Sequence, residues 1–248
     1  MTTTSPAVVA AFSLGAAVGA ALAWAHATRT RKGAPVHAYD PQALHPASLP
    51  AEPMAILKKW MQANEATQGV AARFMVLATS SPSEGATART VLLQSITPEG
   101  GLVIGTTPSS LKGRQLADDP RAEVVMRWGQ LQARIRGTMR KGTPDETAHA
   151  FAGLPLGAKL GLPLLSQGKP VDEAGYAAIA AAYAAKADAF ESSPTKEAPP
   201  CPTGIYSAYV LEPRCVEFYS GGHPGYVNDR FLYVRTSGGA WERLRLQG

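Results

Sequence analysis

The feature that most constrains this chain is a succession of short strand-like runs after residue 73, each closed by glycine, proline, aspartate or serine. Residues 74–79, 88–96, 102–106, 124–128 and 132–139 form one set; 206–211, 215–219, 231–235 and 241–246 form another. Runs of this length separated by tight turns pair antiparallel, and many of them together build a barrel or sandwich. Ser83-Glu84-Gly85, Pro98-Glu99-Gly100-Gly101 and Ser237-Gly238-Gly239 have the composition of hairpin turns. No Gly-x-Gly-x-x-Gly follows a strand and no P-loop occurs, which argues against a doubly wound nucleotide-binding sheet. The pattern predicts a mainly β, α+β domain: a β-barrel with peripheral helices.

Three helices are expected around it. Pro53 opens an amphipathic segment with apolar residues at 54, 57, 60 and 61. Thr143-Pro144-Asp145-Glu146 reads as a capping box leading towards Phe151. Residues 172–191 are alanine-rich, with Tyr176, Ile179, Tyr183 and Phe190 on one stripe that is expected to pack into the core.

The remainder of the chain is of a different kind. Residues 1–28 contain no Asp, Glu, Lys or Arg, and the apolar stretch 6–27 is followed by Arg29, Arg31 and Lys32. Its length and flanks predict an apolar N-terminal helix that anchors the chain in a membrane, with the domain facing the cytosol, as at a mitochondrial outer membrane. The alternative is a targeting segment whose cleavage leaves an organellar soluble protein. Gly15 and Gly19 would let such a helix pair closely. Residues 33–53 hold five prolines and read as a linker. The expected organisation is therefore 1–32 anchor or targeting segment, 33–53 linker and 54–248 the globular domain.

The net charge of +5 is scattered through the strands, with no basic run interleaved with aromatics. An anionic small ligand is a better expectation than nucleic acid. Arg89 sits in the strand Arg89-Thr90-Val91-Leu92-Leu93-Gln94, and Thr106 to Lys112 joins a strand to a helix start. Hydroxyls and a lysine at a helix N-terminus, with an arginine from a neighbouring strand, form a phosphate cradle. An ordinary capped helix with surface cations is the plainer alternative.

The order Arg-x-Val-Leu-Leu, Thr-x-x-x-Ser-x-Lys, Asp-Pro-Arg-Ala, Glu-Phe-aromatic and Asp-Arg-Phe-Leu-Tyr resembles the pyridoxamine 5′-phosphate oxidase family, over residues 54–246. The resemblance implies an FMN-binding split β-barrel that forms homodimers, with FMN at the subunit interface. It assigns Arg89, Thr90, Val91, Leu92 and Leu93 to FMN, with Thr106, Ser110 and Lys112 on the phosphate. Gln132, Gln167, Tyr219 and Arg230 match flavin-contacting positions, Tyr219 standing where the family usually has a Trp. The implied activity is oxidation of pyridoxine or pyridoxamine 5′-phosphate, with dioxygen reoxidising the flavin. A non-catalytic flavin- or haem-binding split barrel is the alternative.

The departures from that pattern fall on the substrate side. Gln94 replaces the family's Lys; Ala150, Leu154 and Ala158 replace its Tyr, Arg and Ser; and Tyr226 and Asn228 replace an Arg-x-His pair. Leu111 and Gly168 also differ from the family's Arg and Ser. A phosphate dianion depends on charge-assisted hydrogen bonds of roughly 1.5–3 kcal/mol each, so an altered substrate is expected. Gln94, Tyr226 and Asn228 remain the candidate substrate contacts. The five histidines lack metal-ligand spacing, and Cys201 and Cys215 read as free thiols, so no metal site is assigned.

Overall fold

The chain divides into two units, Met1–Asp40 and Pro41–Gly248. The computed structural model describes residues 44, 46–221 and 228–247, all in the second unit. The apolar segment 6–27 lies outside the described residues. Among those described, no helix is long and apolar enough to cross a membrane. The longest of them, at 20 residues, carries Glu173, Lys186, Asp188 and Glu191. The membrane-anchored localisation expected above is corrected on this finding; the transmembrane helix and the membrane partner rest on segment 6–27, and nothing among the described residues supports them.

The strands are β1 (Phe74–Ser81), β2 (Gly85–Leu92), β3 (Ser95–Ile96), β4 (Leu102–Thr106), β5 (Arg121–Trp128), β6 (Leu131–Lys141), β7 (Ser207–Ser220), β8 (Asp229–Arg235) and β9 (Trp241–Arg245). The helices are α1 (Pro53–Gln68), α2 (Leu111–Asp118), α3 (Pro144–Ala152), α4 (Leu156–Gly161) and α5 (Glu173–Ser192). One antiparallel sheet runs β2-β1-β5-β6-β7-β4-β3, with β8 on β7 and β9 on β8. Its two ends, β2 and β3, are successive pieces of chain. Leu93 N–H donates to Arg73 O (3.0 Å) and Gln94 N–H to Val103 O (2.9 Å), so the strand leaves β1 and joins β4. That handover curls the sheet into a split barrel.

Strand β7 makes the fork. Its first half pairs with β4 (Ser207 opposite Thr106, Leu211 opposite Leu102), and its second half pairs with β8 (Cys215 opposite Val234, Ser220 opposite Asp229). Between them Gly137 of β6 faces Pro213, next to a register shift that leaves Arg214 unpaired with β6. Proline cannot donate to a ladder, and an extra residue bends the strand. The close approach requires glycine at 137, where an added Cβ would lie 1.9 Å from Glu212 O.

The concave side of the sheet is the core. Leu77, Met126, Ile135, Val216 and Phe218 alternate with outward residues, and α1 plugs one end with Ile56, Leu57 and Trp60. Trp60 stands edge-on to Phe218 (5.2 Å) and Trp128 (6.5 Å), and the Trp128 indole N–H donates to Ala72 O (2.8 Å). Leu44 and Leu49, from the proline-rich stretch, are buried in the same core. A second, smaller core joins Phe151 of α3 to Tyr206, Val103 and Val210.

The capping box at Thr143 and Glu146 is formed, with both reciprocal bonds present. The stripe on α5 differs from expectation. No residue of α5 is buried, and Tyr176 is 64% exposed. With alanine elsewhere, the helix has too few large side chains to seat itself on the barrel; Tyr183 reaches α4, against Gly157 and Gly161.

Candidate functional site

Arg89 pairs across β1 with Leu77, a core residue, so its side chain faces the concave side, where α2 closes over it. The guanidinium donates to Leu77 O (3.2 Å), Thr79 Oγ1 (2.6 Å), Thr87 Oγ1 and Gln115 Oε1 (3.3 Å). Gln115, fully buried, also accepts from Thr79 (2.6 Å) and Thr87 (2.8 Å), and donates to Gly85 O (3.2 Å). Every one of these partners is neutral, so the network fixes the guanidinium without cancelling its charge.

Ser110 caps α2, accepting from Gly113 N–H (3.3 Å). Lys112 Nζ donates to Thr106 Oγ1 (3.1 Å) and lies 3.5 Å from Ser110 Oγ. The start of α2 is pressed against the preceding turn, because a Cβ at Gly113 would lie 2.3 Å from Pro108 O. Among the described residues neither Arg89 nor Lys112 meets a carboxylate. Burial, and then repulsion from Arg89, pull the Lys112 ammonium below its ordinary pKa, and burial lowers that of Arg89. Thr107 Oγ1 is buried there with no hydrogen-bond partner. Two uncompensated cations, a helix N-terminus and an orphaned hydroxyl together suit an anion with several acceptor oxygens.

The remaining candidates lie elsewhere. Val91 packs partly on the core, Leu93 is buried and Thr90 is exposed. Leu92, Leu93 and Gln94 line a pocket of about 430 Å³, together with the end of α1 and His149, Ala150, Gly153, Leu154 and Pro155 around the end of α3. Ala150 and Leu154 are among its walls. Gln132, Tyr219 and Arg230 stand side by side on β6, β7 and β8 and line a cleft of about 410 Å³ with Arg127 and Arg134. Glu217 grips Arg230 there in a two-point pair (3.0 and 3.2 Å) and reaches Arg134 (3.6 Å). Gln167 follows the 3₁₀ turn Leu162–Leu164 and lines neither pocket; its Oε1 is buried without a partner. Asn228 is half-buried just before β8, and Tyr226 lies outside the described residues.

The side-chain alternation sets these groups apart. Ala133, Phe218 and Phe231 point into the core, so their neighbours Gln132, Tyr219 and Arg230 point outward. Arg89 and its network are on the concave face and the Gln132 row is on the convex face. One chain does not gather both sets around one ligand. Sequence reading missed Thr79, Thr87, Thr107 and Gln115. Thr87 carried a signal, since it is two residues from Arg89 and shares its strand face, and Thr107 carried one as a hydroxyl within the 106–112 run.

Comparison with known proteins agrees with this architecture. Residues 63–193 match the family model described as pyridoxamine 5′-phosphate oxidase, and residues 206–248 match the pyridoxine 5′-phosphate oxidase C-terminal dimerisation region. A pyridoxine/pyridoxamine 5′-phosphate oxidase of Microcystis aeruginosa is 30% identical over 215 residues, 84% of this chain and 94% of the relative. One from Nocardioides is 34% identical over 212 residues, covering 84% and 93%. Among solved structures, PhzG from Burkholderia lata in complex with tetrahydrophenazine-1-carboxylic acid superposes with a TM-score of 0.72 at 24% identity, over 83% of this chain and 98% of that one. A pyridoxamine 5′-phosphate oxidase-related, FMN-binding protein from Nostoc punctiforme gives 0.64 at 19%, over 81% and 100%.

Proposed function

The chain belongs to the pyridoxamine 5′-phosphate oxidase family, whose cofactor is FMN, and from that premise we propose an FMN-dependent oxidoreductase that works as a homodimer, with residues 54–248 as its catalytic domain. The observation that carries the reading is the Arg89–Lys112 pair, two cations brought together that meet no carboxylate among the described residues. An apoprotein holds such a pair at a cost, which a bound phosphate offsets. Arg89, Thr106, Ser110 and Lys112 would hold the FMN phosphate, with Thr107 Oγ1 supplying a further donor.

The opposite facing of the two residue sets supports the dimer. Gln132, Tyr219 and Arg230 of one protomer would meet the cradle of its partner, and the dimerisation-region match at 206–248 covers Tyr219 and Arg230. FMN, when bound, supplies a two-electron acceptor for a hydride from the substrate; the protein contributes orientation and electrostatics. Glu217 holds the Arg230 guanidinium in one plane, and Leu92 and Leu93 shield one wall of the neighbouring pocket from water.

Titrating the flavin-free full chain with FMN tests the reading. Saturable quenching of flavin fluorescence at one FMN per chain is expected, and Lys112→Met should weaken it by at least about tenfold, the effect of one charge-assisted hydrogen bond. A chain that never quenches the flavin is not a flavoprotein.

A further inference from the structure

The pocket between α1, the β2–β3 handover and α3 has a composition that fixes the charge of its occupant. We propose that it takes a planar ring compound without a phosphate, recognised by Gln94 through an adjacent hydrogen-bond donor and acceptor. This rests on the reading above that FMN occupies the neighbouring cradle.

Among the described residues Arg73 is the one Arg or Lys side chain lining this pocket, and it is already engaged. Its Nε is paired with the Glu65 carboxylate and its Nη1 donates to Gln94 O (3.3 Å). Glu65 lines the pocket as well, so arginine and glutamate offset each other, and His149 is the other basic side chain on the wall. A phosphate dianion entering here would displace Glu65 or sit beside it, and either arrangement is unfavourable. The cradle around Arg89 and Lys112 has the opposite character, which separates an anion-binding site from this pocket.

The polar group the pocket does offer is held in place. The Gln94 carboxamide meets the Tyr206 hydroxyl, with Nε2 to oxygen at 2.8 Å and oxygen to Oε1 at 3.1 Å. Tyr206 is buried, edge-on to Phe151 (5.5 Å), and lies so close over Gly105 that a Cβ there would be 1.7 Å from its hydroxyl. The tyrosine therefore cannot swing, and its hydroxyl fixes the plane of the carboxamide. A carboxamide has two N–H donors and two acceptor lone pairs, so one donor and one acceptor remain for a ligand edge. Around it Leu92, Leu93, Ala150 and Leu154 present apolar surface, and about 430 Å³ suits a small ring compound.

The test uses two probes that differ only in the phosphate, pyridoxine and pyridoxine 5′-phosphate, in equilibrium dialysis against the FMN-loaded full chain. Flavin occupancy is scored by absorbance before a probe is added. A chain that takes up no FMN fails the cofactor reading, and the probes are then compared on the flavin-free chain. The expected result is that the ester binds no more tightly than the alcohol. The double variant Gln94→Lys, Leu154→Arg should raise the affinity for the ester by at least about tenfold and weaken that for pyridoxine, which loses its Gln94 contact. An ester preference of about tenfold or more in the unsubstituted chain overturns the proposal. So does a double variant with unchanged preference. If neither probe binds the unsubstituted chain, a gain of ester binding in the double variant still supports a pocket lacking only charge, and no gain rejects it.

Discussion

Replacing Gln115 by Glu changes one atom and inverts the electrostatics of the cradle. The side chain is fully buried, its Oε1 accepts from Thr79, Thr87 and Arg89, and its Nε2 donates to Gly85 O at 3.2 Å. In Gln115→Glu the three donors keep their acceptor. The hydrogen bond to Gly85 is lost, at about 0.5–1.5 kcal/mol, and a carboxylate now faces the Gly85 carbonyl. Against this, the carboxylate gains a charge-assisted bond to Arg89 worth roughly 1.5–3 kcal/mol, and it relieves the Arg89 repulsion that, after burial, lowers the Lys112 pKa. The cost of taking the carboxylate out of water is set against these gains, so the flavin-free chain should unfold in urea within about 1 kcal/mol of the parent. FMN binding should fall by about tenfold to a hundredfold, because the carboxylate competes for the guanidinium that the phosphate needs. The assay pairs urea unfolding of the apoprotein with flavin-fluorescence titration. Stability and FMN affinity falling together would show that Gln115 is merely structural, and unchanged FMN affinity would remove Arg89 from the phosphate site.

Other substitutions probe separate parts of the fold. Lys112 has its pKa lowered from 10.5 in the folded chain, so between the two values the unfolded chain binds more protons and stability rises with pH. In flavin-free protein that alkaline rise should be smaller in Lys112→Met, read as urea midpoints across the alkaline range. Trp60→Ala removes the plug that contacts Phe218 and Trp128, and should cost about 3–5 kcal/mol by urea unfolding. Gly137→Ala sets a methyl 1.9 Å from the Glu212 carbonyl at the β7 bend; a loss of about 1–3 kcal/mol or more is expected, and a variant as stable as the parent would mean the bend is slack.

The strands were legible because their period and their breakers agree: the hairpins at Ser83, Pro98 and Ser237 all join neighbouring strands. Strand β7 reads in sequence as two runs because Pro213 interrupts it, and only the partner β6 shows that a proline can occupy a bulge. The helix α3 was legible through its capping box, whereas α5 was misjudged in packing. A stripe of four large side chains looks like a core face, yet whether anything covers it depends on tertiary placement. At the cradle, Arg89 and Lys112 announced themselves by charge. Gln115 did not, since a helix glutamine gives no hint that three donors from two strands will converge on it. The neutrality of the Gln94 pocket was foreshadowed by Ala150 and Leu154, but the Glu65–Arg73 pair became visible only when α1 folded back beside β3.

The placement of the cradle and the Gln132–Tyr219–Arg230 row on opposite faces of one sheet has a consequence for concentration. In the proposed dimer each flavin is held by groups from two chains, so cofactor retention obeys mass action in the protein as well as in FMN. Dilution that separates the protomers also releases flavin, and saturating flavin draws protomers together. The abundance of the chain in its compartment then sets the fraction that is active, more steeply than in proportion to the number of molecules present.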